Sequence, residues 1–464
     1  RLFFLFILFK KGKQMTLSVV ILAAGKGTRM FSEKPKVLHE LSNQPLLQYV
    51  INAAKNLKPV NINVVVGYKS ELVEQEFSKE DINWVAQKEQ LGTGDAVKYT
   101  TPFMEGSQTM VLYGDVPLID HNDLKKLLQV SKDGLGILTF DKKHPKGYGR
   151  IKRTEDKVEG IIEEKDCSET EKKITEINTG IMCIDTIKLN SWLTQITNHN
   201  SQKEYYLTDI VALAKKDNTK IVTHEAKDEH TISGINSKAD LMAMEKIMKQ
   251  KKNTELIEKG VTIIDSSRTE IRGSLVCGSD VEIDVGCIFE GEVELGNNVK
   301  VGAYTHIKDS NILDNANIKP YSHIDSSEVG INNNIGPYAR LRPGAKTKSN
   351  VNIGNFVEIK NSTIGEGSKI NHLSYVGDSQ VGENVNIGAG CITCNYDGVN
   401  KHKTIIEDDV FIGSNSQLIA PLIIRAGSTI GAGSTITKDT PANQLSLARS
   451  KQTNIPSWER PKKK

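Results

Sequence analysis

The first half of the chain alternates short apolar runs with amphipathic stretches. Val19–Ala24 is a continuous aliphatic run of the kind buried in a parallel sheet, and it ends at Gly25-Lys26-Gly27. Leu46–Leu57 predicts a helix, Ile62–Val66 a second strand, and Met110–Tyr113 a third that ends at Gly114-Asp115. Such alternation predicts an open, Rossmann-like α/β sheet with ligands at the carboxyl ends of its strands. From Ser237 to about Lys259 the period becomes helical, with Leu241, Met244 and Met248 on one face, which predicts a connecting helix.

Beyond that helix the pattern changes to a repeat. Aliphatic residues recur every six positions at Val329, Ile335, Leu341, Ile353 and Ile359, with Thr347 passed over. After a shift of phase they resume at Ile406, Ile412, Leu418, Ile424, Ile430 and Ile436. A six-residue period fits neither an amphipathic helix nor a long strand. It fits a parallel β-helix, in which each short strand turns one aliphatic residue inward before the chain rounds a corner. The predicted layout is an extension over 1–14, an α/β domain over 15–240, a helical linker over 241–260, and a β-helix domain over 261–464 that includes a C-terminal tail.

Composition agrees with this picture. The chain has 464 residues, too many for one ordinary core, and only 6% aromatics, as expected where ladders of Ile, Val and Leu fill the interior. The net charge of +3 does not describe a basic surface, because eight basic groups sit in the two tails (Arg1, Lys10, Lys11, Lys13, Arg460, Lys462, Lys463, Lys464) and the body is mildly acidic. Nucleic acid is therefore not an expected partner. The apolar stretch Leu2–Phe9 is too short to span a bilayer and is followed, not preceded, by its lysine pair. Residues 1–14 read as an upstream extension or a leftover of cloning, without stable membrane insertion. Six scattered cysteines, with a single Cys391-x-x-Cys394, suit reduced thiols of a cytoplasmic protein and complete no zinc site.

The candidate chemistry begins at Leu22, Ala23, Ala24, Gly25 and the following Lys-Gly-Thr-Arg29, with Pro35-Lys36 behind them. A strand that ends in a glycine-rich loop brings backbone N–H groups close to phosphates, and Arg29 and Lys36 add positive charge. The spacing of a P-loop is absent. The whole string closely resembles the signature of sugar-1-phosphate nucleotidyltransferases. On that resemblance, Gln87 and the Gln90-Leu-Gly92-Thr93 segment hold uracil, and Tyr113-Gly114-Asp115 is the strand end whose aspartate binds Mg²⁺. Gly149 (in Gly147-Tyr-Gly-Arg150), Glu163 and Asn178 then fall at sugar-binding positions, and Asn236 is the second metal ligand. Lys36 and Arg29 would neutralise charge during in-line attack of a sugar phosphate on UTP.

The repeat half carries a second set. The hexapeptide pattern resembles that of left-handed parallel β-helix acyltransferases. His372, in Asn371-His-Leu-Ser-Tyr-Val-Gly-Asp378, matches their catalytic histidine, the side chain best suited to take a proton from a sugar amine near neutral pH. By resemblance Arg342, Lys360, Tyr375 and Asn386 contact the acetyl acceptor. Ala389, Ser414, Ala432 and Arg449 contact acetyl-CoA, and Asn395 and Tyr396 correspond to further coenzyme or acceptor contacts. The period breaks over Cys391–Gly398, which predicts a loop projecting from the coil. Taken together, the chain resembles the family of bacterial bifunctional N-acetylglucosamine-1-phosphate uridyltransferases/glucosamine-1-phosphate acetyltransferases from about Met15 to its end. That resemblance implies a cytoplasmic homotrimer that uses glucosamine-1-phosphate, acetyl-CoA and UTP to supply cell-wall and lipopolysaccharide synthesis. A nucleotidyltransferase with a purely structural β-helix would have no use for His372 or the Asn395-Tyr396 loop. A non-enzymatic scaffold would have no use for Lys36, Asp115 and Asn236.

Overall fold

The computed structural model describes residues 15–132 and 134–463, so the expected extension over 1–14 lies outside the described residues. The chain forms two compact units, with the boundary after Ile247, inside the helix Lys238–Glu258. Met244 and Met248 of that helix are buried, as its apolar face predicts.

In the first unit a sheet runs in the order Lys220–Glu225, Gly134–Asp141, Glu176–Asp185, Gln108–Tyr113, Leu17–Leu22, Asn61–Val66, Asn83–Ala86. Neighbours are parallel except Glu176–Asp185, which is antiparallel to both its partners. Aliphatic side chains on both faces explain the continuous apolar runs: Val19 and Ile21 pack into one buried cluster, and Val20 into the other. A hairpin of Gly149–Thr154 and Lys157–Ile162 is attached to Glu176–Asp185 through Asn178 and Gly149.

The second unit is a left-handed parallel β-helix of hexapeptide repeats. One inward row runs Ile263, Ile283, Val301, Ile318, Ile335, Ile353, Ile370, Ile387, Ile412, Ile430, each in register with the next coil. A second passes from Phe289 through Ile307, Ile324, Leu341 and Ile359 to Val376. The passed-over Thr347 is no gap in the ladder. It is buried on the third row, in register with Ile364, and its hydroxyl accepts from Asn333 Nδ2 at 2.6 Å and from Gly330 N at 3.1 Å. The interior tolerates this polar rung because Asn333 and Gly330 satisfy the Thr347 hydroxyl. The phase shift sums three departures from an 18-residue coil: Ile353 to Ile370 and Ile370 to Ile387 each span 17 positions, and Ile387 to Ile412, which includes the projecting loop, spans 25.

Candidate active sites

Three carboxyl-end segments of the first sheet converge on a cavity of about 290 Å³. Leu22, Ala23, Ala24 and Gly25 line it from the first strand and its loop, Gln87 from the end of Asn83–Ala86, and Tyr113 and Asp115 from the end of Gln108–Tyr113. Gly92, Thr93 and Lys36 complete the expected lining. Gln87 Nε2 donates to Asp95 Oδ2 at 2.8 Å and Gly92 O at 3.3 Å, and Gln90 Nε2 donates to Ala24 O at 2.7 Å. These bonds tie the glycine-rich loop to the 87–93 segment. Gly92 has φ +119°, and a Cβ there would come within 2.5 Å of Tyr205 O, so only glycine closes this wall.

Lys36 Nζ is paired with Asp115 Oδ2 and donates to Asn236 Oδ1 at 3.1 Å. Three residues far apart in sequence therefore meet at one point, helped by the bond from Ile235 N to Asp115 O (2.9 Å). Gly114 packs beneath, with N donating to Leu22 O at 3.0 Å. Gly149 lies against Glu163, whose Oε1 accepts from Thr208 Oγ1 at 2.9 Å, and Asn178 is in register with Gly149. Burial holds the Glu163 carboxyl above its usual range, and burial with Glu163 and Asp115 nearby does the same to the Tyr113 phenol. Arg29 lies outside the cavity lining, exposed on the turn Thr28–Met30.

On the β-helix, His372 ends the strand Lys369–His372 and is exposed, with Nδ1 2.8 Å from Asn355 Oδ1. The backbone continues this position along one edge: Gly390 N donates to His372 O, Asn415 N to Ala389 O, Gly433 N to Ser414 O, and Arg449 Nη1 to Ala432 O at 2.8 Å. His372, Ala389, Ser414, Ala432 and Arg449 thus form a single row across successive coils. Arg342 Nη1 donates to Glu358 Oε1 at 2.7 Å. Lys401 beside Lys360, then loss of water, then Arg342, push the Lys360 ammonium below its ordinary value, with Asp378 opposing. Tyr375 is in register with Glu358, and Asn386 with Phe411 on the neighbouring coil. Asn395 donates to Asp378 Oδ2, and Tyr396, exposed, donates to Gly398 O at 2.5 Å on the projecting loop. That loop is closed by a bridge between Tyr396 and Lys401.

Residues 19–161 match the MobA-like NTP transferase domain, 271–347 the GMPPB C-terminal domain, and 403–438 the bacterial transferase hexapeptide (six repeats). The bifunctional protein GlmU of Methylobacillus flagellatus is 51% identical over 448 residues, covering 96% of this chain and 98% of its own. That of Nitrosospira multiformis is 51% identical over 452 residues, 97% of this chain and 98% of its own. That of Chromobacterium violaceum is 48% identical over 451 residues, 97% and 99%.

The chain belongs to the bifunctional GlmU family.

It is an enzyme with the two activities of that family, glucosamine-1-phosphate N-acetyltransferase and UDP-N-acetylglucosamine diphosphorylase. Nucleotidyl transfer in the GlmU family uses a divalent metal. The residues fit one: the Lys36 ammonium already stands between two hard oxygen donors, Asp115 Oδ2 and Asn236 Oδ1. Two protein donors, with the remaining places left to phosphate and water, suit a small divalent cation. Sequence reasoning did not single out Glu204, which lines the cavity through the bond between Tyr205 N and Leu91 O, or Lys401 beside Lys360. Glu204 sits in a polar stretch without a local signal. Lys401 lies on the loop that the broken period announced, and that was the available clue. Among the described residues no helix is long and apolar enough to cross a membrane.

Proposed function

We propose that residues 15–240 carry uridyl transfer and residues 261–464 acetyl transfer, joined by 241–260, in a cytoplasmic homotrimer. At the first site Gln87, Gly92 and Thr93 receive the uracil, and the loop from Leu22 to Gly25 faces the phosphates. Gly149, Glu163 and Asn178 bind the sugar, whose hydroxyls suit a carboxylate and an amide at the far side of Tyr113. Asp115 and Asn236 would hold Mg²⁺, which when bound neutralises phosphate charge. Lys36 turns from Asp115 to the phosphates of UTP, and Arg29, exposed on the turn Thr28–Met30 outside the cavity lining, reaches the leaving pyrophosphate from outside. The observation that carries this reading is the meeting of Lys36 and Asp115, which line the cavity, with Asn236.

At the second site Arg342 and Lys360, crowded by Lys401, bind the phosphate of glucosamine-1-phosphate; an anion there relieves their mutual repulsion. Tyr375 and Asn386 contact the sugar. Ala389, Ser414, Ala432 and Arg449, with Asn395 and Tyr396, line the path of acetyl-CoA, and a neighbouring subunit completes it. His372 takes the amine proton as nitrogen attacks the thioester carbon.

The test is to supply the two reactions separately. Acetyl-CoA and glucosamine-1-phosphate should release free thiol, and UTP with N-acetylglucosamine-1-phosphate and Mg²⁺ should release pyrophosphate. Pyrophosphate release without any thiol release would reduce the β-helix to a structural module. Sedimentation that finds a fully active monomer would remove the trimer from the reading.

A further inference from the structure

We infer that Asn355 is a positioning residue for acetyl transfer, fixing the tautomer and the aim of the His372 ring; the inference rests on His372 being the base proposed above. Asn355 and His372 end adjacent parallel strands, Asn352–Asn355 and Lys369–His372, and are register partners. The strands are drawn together at Gly354, where a Cβ would lie 1.9 Å from Asn371 O. No side chain fits there, so glycine at 354 lets one coil descend onto the next and sets Asn355 directly under the imidazole. Leu373 N donates to Asn355 O at 3.1 Å, which fixes the backbone on both sides of the contact. The Asn355 side chain is half-buried on its strand, whereas His372 is exposed.

The chemical consequence follows from the 2.8 Å contact between Nδ1 and Asn355 Oδ1. An amide oxygen only accepts, so the proton of the neutral ring resides on Nδ1 and the lone pair on Nε2. Nε2 is then the base and faces away from the coil below. As the nitrogen–carbon bond to the acetyl group forms, the amine proton passes to Nε2; the carbon–sulfur bond breaks, and the departing thiolate takes up that proton. Unlike a carboxylate in the same place, an amide carries no charge to offer the ring. Aim and tautomer are what it supplies.

The experiment compares Asn355→Ala, Asn355→Asp and His372→Ala in the full-length protein, following thiol release against pH and the ring tautomer by ¹⁵N NMR of labelled histidine. Asn355→Ala should lower kcat roughly tenfold, the scale of one directed hydrogen bond, with KM for acetyl-CoA little changed and a mixed Nδ1/Nε2 tautomer signal for His372. Asn355→Asp should restore most of kcat, keep the Nδ1–H tautomer, and move the acid limb of the profile to higher pH, because a carboxylate stabilises the imidazolium. Wild-type kcat and an unchanged tautomer in Asn355→Ala would overturn the inference, as would an Asp variant no better than Ala. If His372→Ala itself acetylates normally, the fault lies with the assignment of the base. If His372→Ala is inactive while Asn355→Ala is normal, only the positioning role is lost.

Discussion

The two units build their sites by opposite routes. In the α/β unit, Lys36, Asp115 and Asn236 come from three distant parts of the chain and meet because parallel strands end on the same side of the sheet. In the β-helix, one row of candidate residues lies along a single edge, each stacked on its counterpart one coil earlier, from Asn355 and His372 to Ala389, Ser414, Ala432 and Arg449. Their electrostatics differ in the same sense. Beside the first cavity, burial first and neighbouring acids second push the Glu163 and Asp209 carboxyls up. The second site crowds cations, so that Lys360 is pushed down. A converging site can place a metal between ligands from anywhere in the chain. A stacked site is well suited to a long, extended substrate such as an acyl carrier.

The sharpest test of this independence is Asp115→Ala. Losing the carboxylate should lower pyrophosphate release at least about 10³-fold, and leave thiol release unchanged, since none of the stacked residues depends on it. A parallel loss of both activities would break the comparison. His372→Ala is the mirror experiment: a fall of roughly 10²–10⁴-fold in acetyl transfer, the usual contribution of a general base, with uridyl transfer intact when N-acetylglucosamine-1-phosphate is supplied.

The same contrast explains what could be read in the sequence. A stacked architecture writes itself as a period, so Ile335, Ile353, Ile412 and Ile430 announced their row before any coordinates. The period also hid two things. Thr347 broke the aliphatic pattern without breaking the ladder, because Asn333 satisfies its hydroxyl. Two shortened coils and the loop-bearing long one moved the phase between Ile359 and Ile406, where Ile364, Ile370, Val376, Val381 and Ile387 continue the core. In the α/β unit the glycine-rich loop and Asp115 were legible from local pattern. Glu204 was not, since nothing near it signals that Tyr205 docks on Leu91. Asn355 also went unread, because its meaning lies 17 residues away, one coil on.

Stability should separate along the same line. Ile318 is fully buried between Val301 and Ile335, and the hydrogen-bonded strands on either side cannot collapse to fill a cavity. Ile318→Ala should cost the β-helix unit about 2–5 kcal/mol, seen as an earlier urea transition for that unit, while uridyl transfer at low denaturant is unchanged. A cost below about 1 kcal/mol would mean that the coils relax more freely than a ladder allows.

The smallest effect probes the crowded acids of the first unit. Burial, then Glu163, then Asp166, push the Asp209 carboxyl up to about 6 from an ordinary value of 3.8. The folded protein therefore binds this proton more tightly than the unfolded chain does. The stability it contributes is complete below pH 3.8 and is lost as pH rises through about 6. Asp209→Asn carries no such penalty, and no cap is forfeited, because the side chain makes no capping bond to the helix Ile210–Lys216. The variant should thus be more stable than wild type at pH 8, by about 1 kcal/mol once partial exposure is allowed for, and the difference should vanish below about pH 4. Chemical denaturation at pH 8 and pH 4 measures both ends. Equal stability at pH 8 would mean that solvent already screens this acid cluster, and that the contrast with the cation-crowded site around Lys360 is one of residue type without an energetic counterpart.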